Sequence, residues 1–509
     1  MTAADETFAF AHRSFEHRSF EHRAFMLDVS RDRVPTRETL EWLVGVLSAA
    51  GFNELQLYVE HTFAYAGHEV VWVDASPLTH ADMRWLDGVA AAAGVALVAN
   101  MNGFGHMGRW LAHDEYRDRA ECPDGFDAIF GGGRSEPTCF EPTPDNAAMA
   151  VALARDIAST VTERRLHIGG DEPFELGEGR SADRVADEGR DHVYLEHLNR
   201  IMEPLVSDGR EVMFWADLFR RDASLIPKIP DGAIPVVWNY EAPSESSWMG
   251  FLGDDFLERL GIPEDAHLGF EAHARLFVEA GVSFWVAPGA CGWNTIIGRN
   301  PNATANIADA VRVGRANDSP GLLLTEWGDG GHHHPLAVAL PSIVRAGAAS
   351  STAEMPSDED VWDRIDEIAE LPAGTGRLLD ELGGIAESIG PLTLNGSPLC
   401  SALGPAPFPV IGDVDANAAG DAAALLGRAA DWFAAPLDGR PGVLFAEMGA
   451  AVGLAEVGLR RVANEQGIDA AGAAPTAAEV DAAIDAHRRA WLLSSRPGGL
   501  DASVAAIRR

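Results

Sequence analysis

Lysine is all but missing from this chain. Lys228 stands alone among 39 basic side chains, the rest of them arginine, while Asp and Glu together number 77. The resulting formal net charge of −38 argues against polyanionic partners, because nucleic acid and anionic membranes would be repelled by the field that keeps the chain dispersed. The bias itself reads as solubility, salt adaptation or codon composition and carries no chemistry. Cysteine is scarce as well. Cys122, Cys139, Cys291 and Cys400 are scattered without a CxxC pair, which excludes a disulfide framework and a thiolate zinc site, so reduced thiols are expected. The first residues, MTAADETFAFAHRSFEH, lack a basic segment followed by an apolar one, and no run approaches the roughly 18 apolar residues of a membrane span. A soluble cytoplasmic protein is the expectation. Also missing is a glycine-rich phosphate turn after the first apolar run, where the chain reads DVSRDRVPT; this argues against a doubly wound nucleotide-binding sheet.

What is present fits a barrel. At 509 residues and 47% hydrophobic content the chain can bury a large core, and a length prior of about 150 residues per domain asks for more than one unit. A pentapeptide repeated nearly three times, HRSFEHRSFEHRAF from His12 to Phe25, matches no solenoid period and reads as a short duplication leading into the first strand. Apolar runs that read as strands follow at 24–30, 54–60, 95–101, 165–171, 211–217, 234–239, 282–288 and 321–327. Between them lie segments such as TRETLEWLVGVLSAAG and THADMRWLDGVAAAAG, apolar at every third and fourth position and closed by glycine. Eight strands alternating with helices predict a (β/α)8 TIM barrel over 23–350, after an N-terminal extension over 1–22. The alanine-rich remainder, 351–509, predicts an α-helical C-terminal domain that packs on the barrel or pairs subunits in a homo-oligomer, and no chemical motif occurs in it.

In such barrels chemistry sits at the C-terminal ends of the strands. Polar and aromatic residues gather there: Tyr58, Glu60 and His61 after strand two; Asn100, Asn102 and His106 after strand three; Asp171 and Glu172 after strand four. Trp215 and Asp217, then Trp238, Asn239 and Tyr240, then Trp293 and Asn294, and finally Glu326, Trp327 and Asp329 close the later strands. Tryptophans beside acids and amides suit a pocket that stacks the apolar face of a sugar ring and hydrogen-bonds its hydroxyls.

The stretches RAFMLDVSRDRVPT, GFGHM and above all HIGGDE resemble glycoside hydrolase family 20, the β-N-acetylhexosaminidases, over roughly residues 23 to 335. LQLYVEHTFAYAGHE, from Leu55 to Glu69, is similar to an intracellular branch that lacks the accessory α/β domain. The resemblance implies an exo-acting retaining enzyme for terminal β-linked GlcNAc or GalNAc, with an amino-sugar glycoside or oligosaccharide as its small-molecule partner and no metal or cofactor. Physics supports the implied mechanism. A glycosidase with a protein nucleophile needs two carboxyls flanking the sugar bond, about 5 Å apart when retaining and about 6.5 to 9.5 Å when inverting. Asp171 and Glu172, neighbours on one strand, leave from the same edge of the pocket and are poorly placed to flank anything. The family solution is the substrate's own 2-acetamido oxygen, whose attack on C1 gains the large effective molarity of an intramolecular reaction. By resemblance Asp171 accepts the acetamide N–H and Glu172 protonates the leaving oxygen and later activates water. Close carboxylates would also push each other's pKa apart, keeping Glu172 protonated.

The same resemblance assigns the binding residues. Arg23, five positions before Asp28, matches the arginine that grips the outer hydroxyls, with Asp329 as its acidic partner where the family more often has glutamate. Glu60 and His106 match polar positions after strands two and three, and Trp215, Trp238 and Trp327 wall the acetamide and ring. Two residues before the strand-seven asparagine the family has a tyrosine that donates to the acetamide carbonyl. Here Gly292 precedes Trp293 and Asn294, and Tyr240 is the substitute chosen. The run His332–His333–His334 cannot turn three consecutive side chains into one tetrahedral site and reads as loop lining. Two alternatives stay open: a metal-dependent barrel hydrolase using His61, His68 or His167 with Asp171, and a non-catalytic carbohydrate-binding barrel.

Overall fold

The computed structural model describes residues 19–128, 133–220, 222–245, 257, 262–352, 354–404 and 410–507. The pentapeptide copies before residue 19 lie outside them. Eight parallel strands close a barrel: β1 His22–Asp28, β2 Glu54–Val59, β3 Ala96–Met101, β4 Arg165–His167, β5 Glu211–Trp215, β6 Ala233–Trp238, β7 Trp285–Ala287 and β8 Gly321–Glu326. They pair in chain order and β8 closes on β1. Register aligns Asp28 with Tyr58, Tyr58 with Asn100, and Asn100 with His167, so polar side chains form part of a ring at one level of the barrel mouth. The strands are buried along nearly their whole length, and continuous apolar runs are what a parallel sheet covered on its outer face requires.

The outer helices start and stop on local chemistry. α1, Arg37–Ala50, opens with Thr36 accepting from the Thr39 N–H and ends at left-handed Gly51. α2, His80–Ala92, opens on a Thr79–Asp82 capping box, and α3, Pro144–Ala158, on a Thr143 cap with proline in its first turn. α4, Arg190–Ser207, α5, Phe270–Ala280, α6, Asn300–Ala316, and α7, Leu340–Ser351, follow their strands. Between β5 and β6 the described residues form two 3₁₀ turns, Leu218–Arg220 and Ile226–Lys228, in place of an α-helix. Pro227, Pro230 and Gly232 break any longer helix there.

After the barrel come α8 Asp358–Ile368, α9 Thr375–Gly383, α10 Ala416–Phe433, α11 Gly439–Glu465, α12 Ala477–Ser494 and α13 Leu500–Ile507. α11 corrects one sequence expectation: by length and composition it could cross a membrane, at a mean hydropathy of 1.5, although 67% of that window is buried within the protein. Alanine and glycine raise its hydropathy without forming a run of large apolar side chains. The helices are locked to the barrel by buried Arg33, which donates to the carbonyls of His332 (2.9 Å) and His334 (2.6 Å), pairs with Glu447 at 3.4 Å and lies over Trp491.

Candidate active site

The site is built outward from the turn that follows β4. Gly169 (φ 69), Gly170 (φ 92) and Glu172 (φ 51) are left-handed. A Cβ on Gly169 would fall 2.6 Å from Asn102 Cγ, and one on Gly105 would fall 2.0 Å from the Asp171 carbonyl, so the loops after β3 and β4 interlock only because glycine stands at both places. The non-glycine left-handed conformation at Glu172 carries strain. Its backbone N–H donates to Asp217 Oδ2 at 2.9 Å, and Asp217 Oδ1 accepts from Trp238 Nε1 at 2.6 Å.

One imidazole faces both acids. His106 Nε2 lies 3.2 Å from Asp171 Oδ2 and 3.5 Å from Glu172 Oε2, while Nδ1 lies 3.7 Å from Glu60. Burial alone would keep His106 neutral, but the charge and hydrogen bond of Asp171, with Glu60 and Glu172 behind them, push it up to about 10. Burial pulls Asp171 up, and the His106 cation together with the Asn102 amide (2.6 Å) outweighs it and holds Asp171 below the usual carboxylate range. Glu172 goes the other way, to about 8: burial is the main cause, Asp171, Asp217 and Asp329 add to it, and His106 opposes. The two carboxyls do separate in pKa, but burial contributes more than mutual repulsion. The Glu172 side chain keeps 32% exposure, toward the cavity.

Aromatic rings close the walls. Trp238 stacks on Tyr240 (5.2 Å, 19°), Tyr240 meets Trp293 edge-on (5.2 Å), and Trp215 lies 5.9 Å from Trp327. Trp327 Nε1 donates to the Tyr240 hydroxyl at 2.9 Å. A cavity of about 130 Å³ is lined by Asp171, Glu172, His106, these rings and Asp329.

Arg23 is not there. It lies at the start of β1, donating to the carbonyls of Gly51 (2.7 Å) and Phe20 (2.8 Å), about 16 Å of strand away from Asp28 at ~3.3 Å per residue. Arg31, beyond the C-terminal end of β1, stands in the pocket, 2.7 Å from Glu60, 3.3 Å from Asp28 and 3.1 Å from Asp329. The RDR triplet just past the strand was its signal. Asn294 also departs from expectation: its Nδ2 donates to the Asn395 carbonyl at 3.2 Å, and it is absent from the cavity lining, unlike Trp293. Leu394 and Asn395, from the segment between α9 and α10, do line the cavity; no sequence feature marks them.

The remaining histidines have other partners. His61 pairs with Asp32 at 2.6 Å, His68 Nδ1 lies 2.6 Å from the Tyr116 hydroxyl, and His167 Nδ1 accepts from the Gly169 N–H at 3.0 Å. In the histidine run, His334 contacts Glu326 (2.8 Å), His333 lies 3.0 Å from the Ser503 carbonyl and His332 stacks on His334. None of the three lines the cavity.

Residues 20–249 match the family model of the glycosyl hydrolase family 20 catalytic domain. Human hexosaminidase D is 22% identical over 355 residues, 66% of this chain and 66% of that protein, so the match spans just under two thirds of that relative. Chitobiase from Flavobacterium johnsoniae is similar in fold, with a TM-score of 0.52 at 13% identity over 96% of this chain and 78% of that one. A β-N-acetylhexosaminidase from Bacteroides fragilis gives a TM-score of 0.49 at 14% identity, over 68% of this chain and 70% of the other.

Proposed function

From the match of residues 20–249 to the glycosyl hydrolase family 20 catalytic domain, we propose that the chain is an exo-acting, retaining β-N-acetylhexosaminidase of that family that removes terminal β-linked GlcNAc or GalNAc with the substrate's acetamide as nucleophile. The observation that carries this reading is the single ring nitrogen of His106 within 3.5 Å of both Asp171 and Glu172. Both acids leave the one turn after β4 and meet at this imidazole. The cavity's other carboxylates, Asp329 and Glu241, are engaged by Arg31 and Arg299, so neither is a free nucleophile for the opposite face of a sugar.

In this mechanism the acetamide oxygen bonds to C1 as the bond from C1 to the aglycone oxygen breaks. The electron pair leaves with that oxygen, which takes the Glu172 proton. Asp171, held ionised, accepts the acetamide N–H and stabilises the positive oxazolinium ring. Water then adds to C1 from the face the aglycone vacated and gives its proton to Glu172, and the amide re-forms with configuration retained. Arg31 and Asp329 hold the outer hydroxyls, and Trp215, Trp238 and Trp327 bury the acetamide methyl and the ring face. Tyr240, whose oxygen accepts from Trp327, donates a hydrogen bond to the acetamide carbonyl. The test compares nitrophenyl β-GlcNAc with the matching glucoside and the deacetylated glucosaminide. Only the acetamido sugar should turn over; comparable hydrolysis of the plain glucoside would refute substrate assistance.

A further inference from the structure

A strap from the C-terminal half, residues 391–397, is fastened across the loop after β7. Ser397 donates through its N–H to the Asn294 carbonyl (2.9 Å) and through its hydroxyl to the Thr295 carbonyl (3.0 Å). Asn395 sits at the apex in a left-handed conformation (φ 50), which asparagine tolerates better than most residues. Three of its groups are occupied: the N–H donates to Glu241 at 2.7 Å, the carbonyl accepts from Asn294, and Oδ1 accepts from Trp293 Nε1 at 2.8 Å. An indole N–H only donates, so the side-chain amide is fixed with its oxygen toward Trp293 and its NH₂ turned the other way. That NH₂ donates to none of the described residues, on a side chain that lines the cavity with Asp171 and Glu172.

Among the other donors of the pocket, Trp215 Nε1 and His273 Nε2 have no partner among the described residues, and Tyr240 and Arg31 serve the acetamide and the outer hydroxyls in the reading above; the rest are committed. Trp238 gives its N–H to Asp217, Trp327 to Tyr240 and Trp293 to Asn395, while Arg31 and His106 face carboxylates. A sugar offers hydroxyl and carbonyl oxygens, and a pocket rich in carboxylates answers their protons but not their lone pairs. We propose that Asn395 is a substrate-binding residue, donating its side-chain N–H to an oxygen of the bound amino sugar, so that the C-terminal region supplies part of the specificity of the barrel. This rests on the hexosaminidase reading above.

The test uses the full chain with Asn395→Asp, which keeps an oxygen for Trp293 but has no NH₂, and Asn395→Ala, which adds no charge. KM for nitrophenyl β-GlcNAc and Ki for free GlcNAc should rise together by about tenfold in both variants, equivalent to about 1.4 kcal/mol of binding. The thermal midpoint of the Asp variant should stay close to that of the parent. If both variants bind GlcNAc as the parent does, the inference is wrong while the functional reading stands. A parent that cleaves no N-acetyl glycoside overturns both, and that result is read before any variant is made.

Discussion

Glu172 combines a left-handed backbone with a carboxyl that burial pushes up from 4.5 to about 8. In the unfolded chain this proton leaves near pH 4.5, whereas the folded protein keeps it to about pH 8. The folded state binds more protons across that window, so its stability falls as pH rises through it. Gln at this position has no proton to lose. Glu172→Gln should therefore match the parent's thermal midpoint at pH 4 and exceed it at pH 8, a reversal of the usual cost of mutating a buried site. In the proposed mechanism the same proton should set the alkaline limb of kcat/KM near pH 8 in the parent. The Gln variant should lose most activity on poor leaving groups, by about 10² to 10⁴, and less on activated aryl glycosides; equal losses on both would remove Glu172 from the proton-donor role. Asp217 acts on the same peptide from behind. Asn offers one acceptor oxygen where Asp217 serves two buried donors, the Glu172 N–H and Trp238 Nε1. Asp217→Asn should lower kcat about tenfold or more, because an unpaired buried donor costs about 1 to 3 kcal/mol. A variant with parental kcat would show that the acid is positioned without it.

At the level of elements, β1 sets up a clean comparison because arginines lie toward its two ends. Arg31→Gln should raise KM at least about tenfold by freeing Asp329 and Glu60, as expected when one partner of a charged contact is removed, while Arg23→Gln should leave KM unchanged and affect only stability. A KM effect at Arg23 would reverse the assignment. This pair also marks how far sequence reading reaches. The eight strands were legible, with the centre of each falling inside an apolar run, because a sheet buried on both faces writes itself as continuous hydrophobicity. That Asp171 and Glu172 meet in the cavity was legible because two acids after a Gly-Gly turn fit few purposes. Spacing from Asp28 points to Arg23, whereas Arg31 is the arginine that lines the cavity, because spacing gives a distance along a strand but not which mouth of the barrel a side chain occupies. Among the described residues the fifth crossover has 3₁₀ turns in place of a helix, for reasons of local proline and glycine that a regular strand–helix alternation does not register. Asn395 was invisible: its meaning comes from Trp293, 102 positions away, and nothing in PLTLNGS records that contact.

For the molecule as a whole, the charge balance decides the response to salt. Even if each of the 39 basic side chains neutralised one acid, 38 acids would remain uncompensated, the same as the net charge of −38. Over an accessible surface of 20081 Å² that is about 530 Å² per net charge, or a mean spacing of roughly 23 Å, inside the ~30 Å Debye length at 0.01 M salt and far outside the ~3 Å at 1 M. Salt weakens attractive pairs too, such as Arg155–Asp208 and Arg377–Glu381, but exposed pairs of this kind are worth about 0 to 1 kcal/mol each, and their attraction is short-ranged. The uncompensated charges repel over the whole surface, and unfolding spreads them apart. Repulsion should therefore win. The thermal midpoint in 1 M KCl should exceed that in 0.01 M KCl by several degrees, with the largest gain between 0.01 and 0.1 M, where the Debye length shrinks past the mean spacing. A midpoint that falls with KCl would mean that the arginine pairs hold the fold more strongly than the excess acid strains it.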